Sequence, residues 1–532
     1  MEINAKAARG RLEAPYGRFL KDIISLSSSP RAGPGMTSRS TEQPSGKRHS
    51  ATLLLIALSA CLAFRAYLLW ANDFPLGDGA LFLEFVHATA ATFPKLPAQV
   101  SYNGLVLPFS YPPLSFWLAA LLTKAGFDSL GIIRAVPILM NIGYVSLFAL
   151  LLLRSGRSYI FVALAILFVG VNLRAVEWLL MGGGLSRGLG SIFFLLALVA
   201  ATVPEQGRER MLSSRRMLLC GGAVGLAILS HLEWGLLAAG SVVLSRALGS
   251  RSIKDFLISS MIAGGTASAL VLPWLLFITA THGLQPLLAA GSTSGWSLAL
   301  LLGRLIWVAT TSVEANPLVL IGGFGLLLRR QWFWLGFIVL CELLTPRHGP
   351  TPLGLPMAVL GAQGVVEVYR AAARFFDHRK ALAGATAGLV AVLVAWGAHR
   401  SYNEVGISFA VLPRETREAM AWVAANQPGA RFAIINDQVW QNDRTGEWFP
   451  TLASAQSVTT VQGREWNGQF LRWQEAHASL RESRSCSEIE SNIELFGAAE
   501  FVLAETMREC FAGGRYSLAY QNERVGIYKV SR

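Results

Sequence analysis

Charge is what this chain has least of. Asp, Glu, Lys and Arg make up 15% of its 532 residues against 53% hydrophobic ones, which is too polar-poor for a soluble protein of this length and fits a polytopic membrane protein. Cysteine is scarce as well, five residues with no CxxC pair, so a zinc site of that spacing is excluded. Cys61, Cys220 and Cys341 stand in apolar runs, where a thiol behaves as a small hydrophobe. Cys486 and Cys510 stand in the polar tail and, with that tail outside the cytoplasm, are expected to form a disulfide. Internal repeats are missing, which argues against a repeat-built transporter. No cleavable signal is expected, because the run 51–70 has the length of a membrane span rather than of a signal core; Met36 is an alternative start to Met1. The formal charge of +13 does not point to nucleic acid, since from residue 400 onward 14 Lys and Arg face 16 Asp and Glu. The basic surplus lies in short runs between apolar segments, which is a topology signal.

Eleven apolar runs are present, near 51–70, 129–153, 158–176, 188–203, 217–230, 234–248, 256–279, 316–328, 332–345, 352–369 and 382–398. Several fall short of the ~20 residues that cross a bilayer, as do the broken helices that border cavities. The loops 154–157, 204–216, 246–255, 329–331 and 370–380 together hold 15 Lys and Arg, which places them in the cytoplasm. The expected fold is therefore an all-α polytopic membrane protein with a C-terminal extracytoplasmic α/β domain. Residues 1–50 read as a disordered basic cytoplasmic tail, 51–399 as the transmembrane domain with an outer loop at 71–128, and 400–532 as the α/β domain. Within that last part the pattern predicts a helix over 414–426, strands over 431–435 and 501–503, and a hairpin over 518–530. The segment 111–122 reads as a juxtamembrane helix.

The polar residues expected at the outer surface are Asp73, Asp78, Glu84, Glu177, Arg187, His231, Glu233, Arg304, Glu314, Arg347 and His348. Carboxylates, imidazoles and guanidiniums on one membrane face suit deprotonation of an acceptor and retention of a phosphate. Asp78, between Gly77 and Gly79, is the candidate base; the alternative is a helix N-cap, for which Asp is favoured. Arg187 follows three glycines, which either admit a ligand's close approach or form a plain turn. His231 and Glu233 are candidate acceptor or sugar contacts, alternatively a structural pair, and too few for a metal site. Asp73 is a further candidate contact. Arg347 suits a bidentate phosphate contact or an interfacial anchor, and Tyr111-Pro-Pro opens a helix rigidly.

These residues resemble those of integral-membrane glycosyltransferases of the GT-C fold, the class that includes protein O-mannosyltransferases and aminoarabinose transferases. The likeness rests on Asp78, Tyr111-Pro-Pro-Leu-Ser-Phe-Trp117, Arg134-Ala-Val-Pro137, Leu229-Ser-His231 and Arg347. More narrowly, the chain is similar to uncharacterised bacterial membrane proteins with matching segments at Phe74 to Ala80, Leu107 to Leu114 and Glu447 to Pro450. The resemblance implies a polyprenyl-phosphate sugar donor, an acceptor glycan, lipid or protein outside the cytoplasm, and membrane lipids as partners, in the inner membrane of a bacterium. It implies inversion at the sugar with Asp78 as base, with Arg347, His348, Arg187 and Tyr111 on the donor phosphate. No cofactor is required, and a divalent metal is not favoured, because Asp78 is followed by Gly79 where some relatives carry a second acid. Tyr111 stands where aminoarabinose transferases have a Lys. The competing expectation is a non-catalytic polyprenol-lipid transporter or glycan-binding receptor.

Overall fold

The computed structural model describes residues 44–70, 73–171, 175–202, 214–250, 252–292, 317–345, 350–376, 378–405 and 412–531. Most of the basic tail and the candidates Arg304, Glu314, Arg347 and His348 lie outside the described residues. Each of the eleven apolar runs is a helix, from Pro44–Trp70 at one end to Arg379–Val405 at the other. Polar residues fix where several of them start: Asp128 accepts the Gly131 N–H at 2.7 Å to cap Ser129–Arg154, and Ser252 caps Ile253–His282. Such caps satisfy first-turn N–H groups that have no partner within the helix.

Five helices among the described residues are long and apolar enough to cross a membrane: Ser129–Arg154, Gly184–Ala201, Ile253–His282, Thr351–Ala372 and Lys380–Arg400. Two of the others, Tyr159–Val171 and Trp332–Leu344, run 13 residues each. At 1.5 Å per residue a helix of that length spans about 20 Å, less than the ~30 Å of hydrocarbon. The chain is a multi-pass membrane protein whose bundle is packed on aromatic rings, Phe194 lying 5.4 Å from Trp234 and 5.7 Å from Phe337.

Between the first two apolar helices, Gly79–Thr92 and the helix Leu114–Lys124 flank a hairpin of β1 (Gln99–Tyr102) and β2 (Leu105–Pro108). Asn103 and Gly104 turn it with φ of 53° and 70°, the Asn-Gly pairing favoured in tight hairpins. In the tail the predicted helix appears as Arg414–Asn426, and the predicted strands appear as β3 (Arg431–Ile435) and β5 (Phe501–Ala504). The predicted hairpin is β6 (Tyr516–Gln521) with β7 (Gly526–Val530), and a short β4 (Gln456–Ser457) completes the sheet. Its order is β4-β3-β5-β7-β6, with β3 parallel to β4 and β5, and β7 antiparallel to β5 and β6.

Because strand side chains alternate, the sheet has two apolar faces. Phe432, Ile434, Phe501, Leu503 and Ile527 join a core shared with Leu76 to Val86, the β1–β2 hairpin and Val176 to Leu185. Ala433, Ile435, Val502, Ala504 and Tyr528 pack on the tail's own helices Phe470–Glu482 and Cys486–Glu494. Cys486 and Cys510 are disulfide-bonded on that second side.

Candidate active site

Asp78 begins the helix Gly79–Thr92 but does not cap it with its side chain. Its backbone is left-handed, φ 77°, directly after Gly77 at φ 69°. For a non-glycine residue that conformation costs about 1–2 kcal/mol, although Asp tolerates it better than most. The cap reading is thereby corrected: with the backbone in this region the carboxylate turns away from the first helical turn and meets Arg187, Oδ2 to Nη2 at 3.1 Å. The Asp78 side chain is 20% exposed and that of Arg187 7%.

The glycines before Arg187 also differ from expectation. Gly182 and Gly183 donate to the carbonyls of Leu76 and Gly77 at 2.8 and 2.7 Å. A Cβ on Gly182 would fall 2.1 Å from the Gly79 Cα, so only glycine fits. They admit another stretch of backbone, not a ligand, and so hold the Asp78 turn against the start of the helix Gly184–Ala201 that carries Arg187. The guanidinium stacks 4.9 Å over the Trp178 ring. Its Nε and Nη1 are buried without a hydrogen-bond partner among the described residues, a costly state for a cation unless something anionic joins it.

Arg187 lines a recess together with Trp178, His231, Glu233, Trp234 and Thr345. Thr345 is the residue after Trp332–Leu344. Tyr111 stands beside the recess, its ring 6.2 Å from that of His231 and 5.8 Å from Trp466 of the tail. The Ser186 hydroxyl donates to the Tyr111 oxygen at 3.3 Å. Burial pushes the Tyr111 phenol up to about 12 against the opposing charge of Arg187, so it stays protonated at neutral pH. Asp73 is not gathered into this group: it pairs at 3.5 Å with Arg134, both partly exposed. Glu84 likewise faces His87, at 3.6 Å.

One buried acid was missed in the sequence. Glu447, on the tail helix Arg444–Leu452, is fully buried. Its Oε2 accepts the Gly77 N–H at 3.0 Å and its Oε1 the Gly79 N–H at 2.6 Å, on either side of Asp78. Burial and then the Asp78 charge push its carboxyl up to about 8, opposed by the N–H groups of Gly77, Gly79 and Ala80. The adjacent Trp448, also fully buried, donates from its indole to the Pro75 carbonyl at 3.1 Å. The only local signal was the segment Glu447 to Pro450, which carries a charge beside a Trp and a Phe.

No protein-family model and no curated protein matches this chain. Solved structures do. The archaeal oligosaccharyltransferase AglB from Archaeoglobus fulgidus, in complex with an inhibitory peptide and a dolichol-phosphate, superposes with a TM-score of 0.54 at 13% identity, over 86% of this chain and 70% of that one. ArnT from Cupriavidus metallidurans in the apo state gives 0.53 at 13%, over 90% and 98%. The chain has the GT-C fold. The arabinofuranosyltransferase AftD from Mycobacteria gives 0.50 at 14% identity; the likeness covers 90% of this chain and 41% of that larger one. At such identities the GT-C likeness speaks for architecture, and the chemistry rests on the residues at the Asp78 turn.

Proposed function

We propose that the protein is an inverting GT-C glycosyltransferase that moves a sugar from a polyprenyl phosphate to a hydroxyl acceptor (a glycan, lipid or protein) outside the cytoplasm, in the inner membrane of a bacterium. The observation that carries this is the Asp78–Arg187 pair at 3.1 Å beside a recess holding His231 and Glu233. The fold adds weight, since AglB, one of the similar structures, is a complex with a dolichol-phosphate.

In the reaction the acceptor oxygen attacks the anomeric carbon from the face opposite the phosphate. Asp78 takes the hydroxyl proton as the new C–O bond forms. The bond from the anomeric carbon to the phosphate oxygen breaks, and its electron pair leaves with the polyprenyl phosphate. Arg187, with Nε and Nη1 unsatisfied, neutralises that leaving phosphate as charge develops, with Arg347 and His348 completing the phosphate site and the Tyr111 hydroxyl beside it. Drawing Arg187 toward phosphate also loosens its hold on Asp78 and leaves the carboxylate a better base. His231 and Glu233 contact the sugar or the acceptor; Asp73, paired with Arg134, has no part in this step. No cofactor is required in this reading, and a divalent metal is compatible with it but not favoured. The basic loops stay in the cytoplasm and residues 400–532 lie outside.

The test is turnover in proteoliposomes with a panel of undecaprenyl-phosphate-linked hexoses and pentoses, read as release of undecaprenyl phosphate. Release from at least one donor, lost in Arg187→Ala, supports the reading. Binding of undecaprenyl phosphate with no turnover of any donor favours a non-catalytic lipid-binding protein instead.

A further inference from the structure

An aspartate at the start of a helix ordinarily spends its side chain on the free N–H groups of the first turn. Asp78 does not, and those groups are not left empty. The Gly79 N–H of that first turn, together with the Gly77 N–H just before it, is taken by the two oxygens of Glu447, 368 residues from Gly79 in the chain. The acid is held from several sides. Asp443 caps its helix by accepting the Gly446 N–H at 2.7 Å, Gln462 donates to Oε2 at 3.3 Å, and the Tyr102 hydroxyl donates to the Glu447 carbonyl at 2.8 Å. Trp448 closes the site, since a Cβ on Gly79 would come within 3.1 Å of its ring.

We infer that Glu447 is the positioning residue of the base: it caps the helix in place of Asp78, holds the left-handed turn at Gly77 and Asp78, and so leaves the Asp78 carboxylate free to face Arg187. This rests on the reading of Asp78 as the base. Both oxygens of Glu447 are used in the clamp, one on each side of the residue it positions. The catalytic group of the membrane half is therefore complete only when the tail is seated on it. Toward the membrane half Glu447 bonds only the backbone N–H groups of Gly77 and Gly79, so its effect on chemistry passes through Asp78.

The variant Glu447→Gln keeps the shape but turns one acceptor into a donor that cannot pair with an N–H. In the full-length protein, amide exchange of the segment 74–85 is expected to accelerate by about tenfold or more, while the segments 431–435 and 501–504 stay protected. With the donor that the parent turns over, kcat should fall about 10- to 100-fold and KM by less than about threefold in either direction. The double variant Asp78→Asn/Glu447→Gln should be no slower than Asp78→Asn alone, because one residue acts through the other. Unchanged exchange at 74–85, or multiplying losses in the double variant, would overturn the inference. Full activity in Asp78→Asn would remove the base reading itself, whatever Glu447 does. If Glu447→Gln does not accumulate, Glu447→Asp, which keeps the carboxyl and withdraws it by one methylene, is judged by the same criteria.

Discussion

Along β3, Phe432 and Ile434 pack into the core that surrounds the Asp78 turn, while Ala433 and Ile435, the residues next to them, pack against helices of the tail alone. The same alternation runs along β5. One sheet thus serves two cores with different owners. The private face is closed by a disulfide and needs nothing from the membrane half. The shared face brings Glu447 and Trp448 against Pro75, Gly77 and Gly79, and what stabilises it also shapes the site. Damage to the two faces should therefore separate, the shared face costing chemistry and the private face costing stability.

Gly182→Ala should have the largest effect. Its Cβ would stand 2.1 Å from the Gly79 Cα and 2.4 Å from the Gly79 nitrogen, and backbone cannot step aside as a side chain can. The turn and the helix carrying Arg187 must part, and turnover should vanish even where protein still accumulates; retained turnover would mean the two strands of backbone need not touch. Trp448→Ala comes next. Emptying a fully buried Trp costs about 3–5 kcal/mol, and here it also removes the bond to Pro75, so both the melting temperature and kcat should fall.

On the private face, reduction of Cys486–Cys510, which closes a separation of 24 residues, should destabilise the tail by roughly 3 kcal/mol in the chain-entropy model. Tail melting should drop under reductant while turnover below the transition is kept. Loss of turnover at temperatures where the tail is still folded would break the distinction between the faces. A further effect is on pH. Glu447 is raised from an ordinary 4.5 to about 8 in the folded protein, so the folded state holds the proton more tightly than the unfolded one. Its contribution is complete below about 4.5 and is lost as pH rises to about 8. The melting temperature should decline over that window, and Glu447→Gln should flatten the decline; an equal slope in the variant would show that another group titrates.

Much of this architecture was legible because it is periodic. The tail strands announced themselves by short apolar runs, and the helices by apolar length bounded by Arg. Asp78, Arg187, His231, Glu233 and Tyr111 stood out as polar groups beside apolar runs, where charge is costly, and the fold sets all five around one turn and one recess. What stayed hidden depends on distance along the chain. Nothing near Glu447 shows that its partners are Gly77 and Gly79, and nothing near Gly182 shows that its neighbour is backbone rather than ligand. The alternative that Asp78 caps its own helix followed from local preference, and a long-range carboxylate takes that place. Asp73 stood as a lesser candidate beside Asp78 in the sequence, and in the fold it pairs with Arg134 instead.

The central claim is that the Asp78 carboxylate removes the acceptor's proton, and Asp78→Asn tests it most directly. Asn adopts left-handed backbone as readily as Asp, and no side-chain cap is lost because Asp78 makes none. The variant loses the charge that faces the buried Arg187 and so should melt somewhat lower than the parent, but it should express, bind undecaprenyl phosphate, and release it from a sugar donor about 100-fold more slowly or worse. Turnover within a few-fold of the parent would contradict the account.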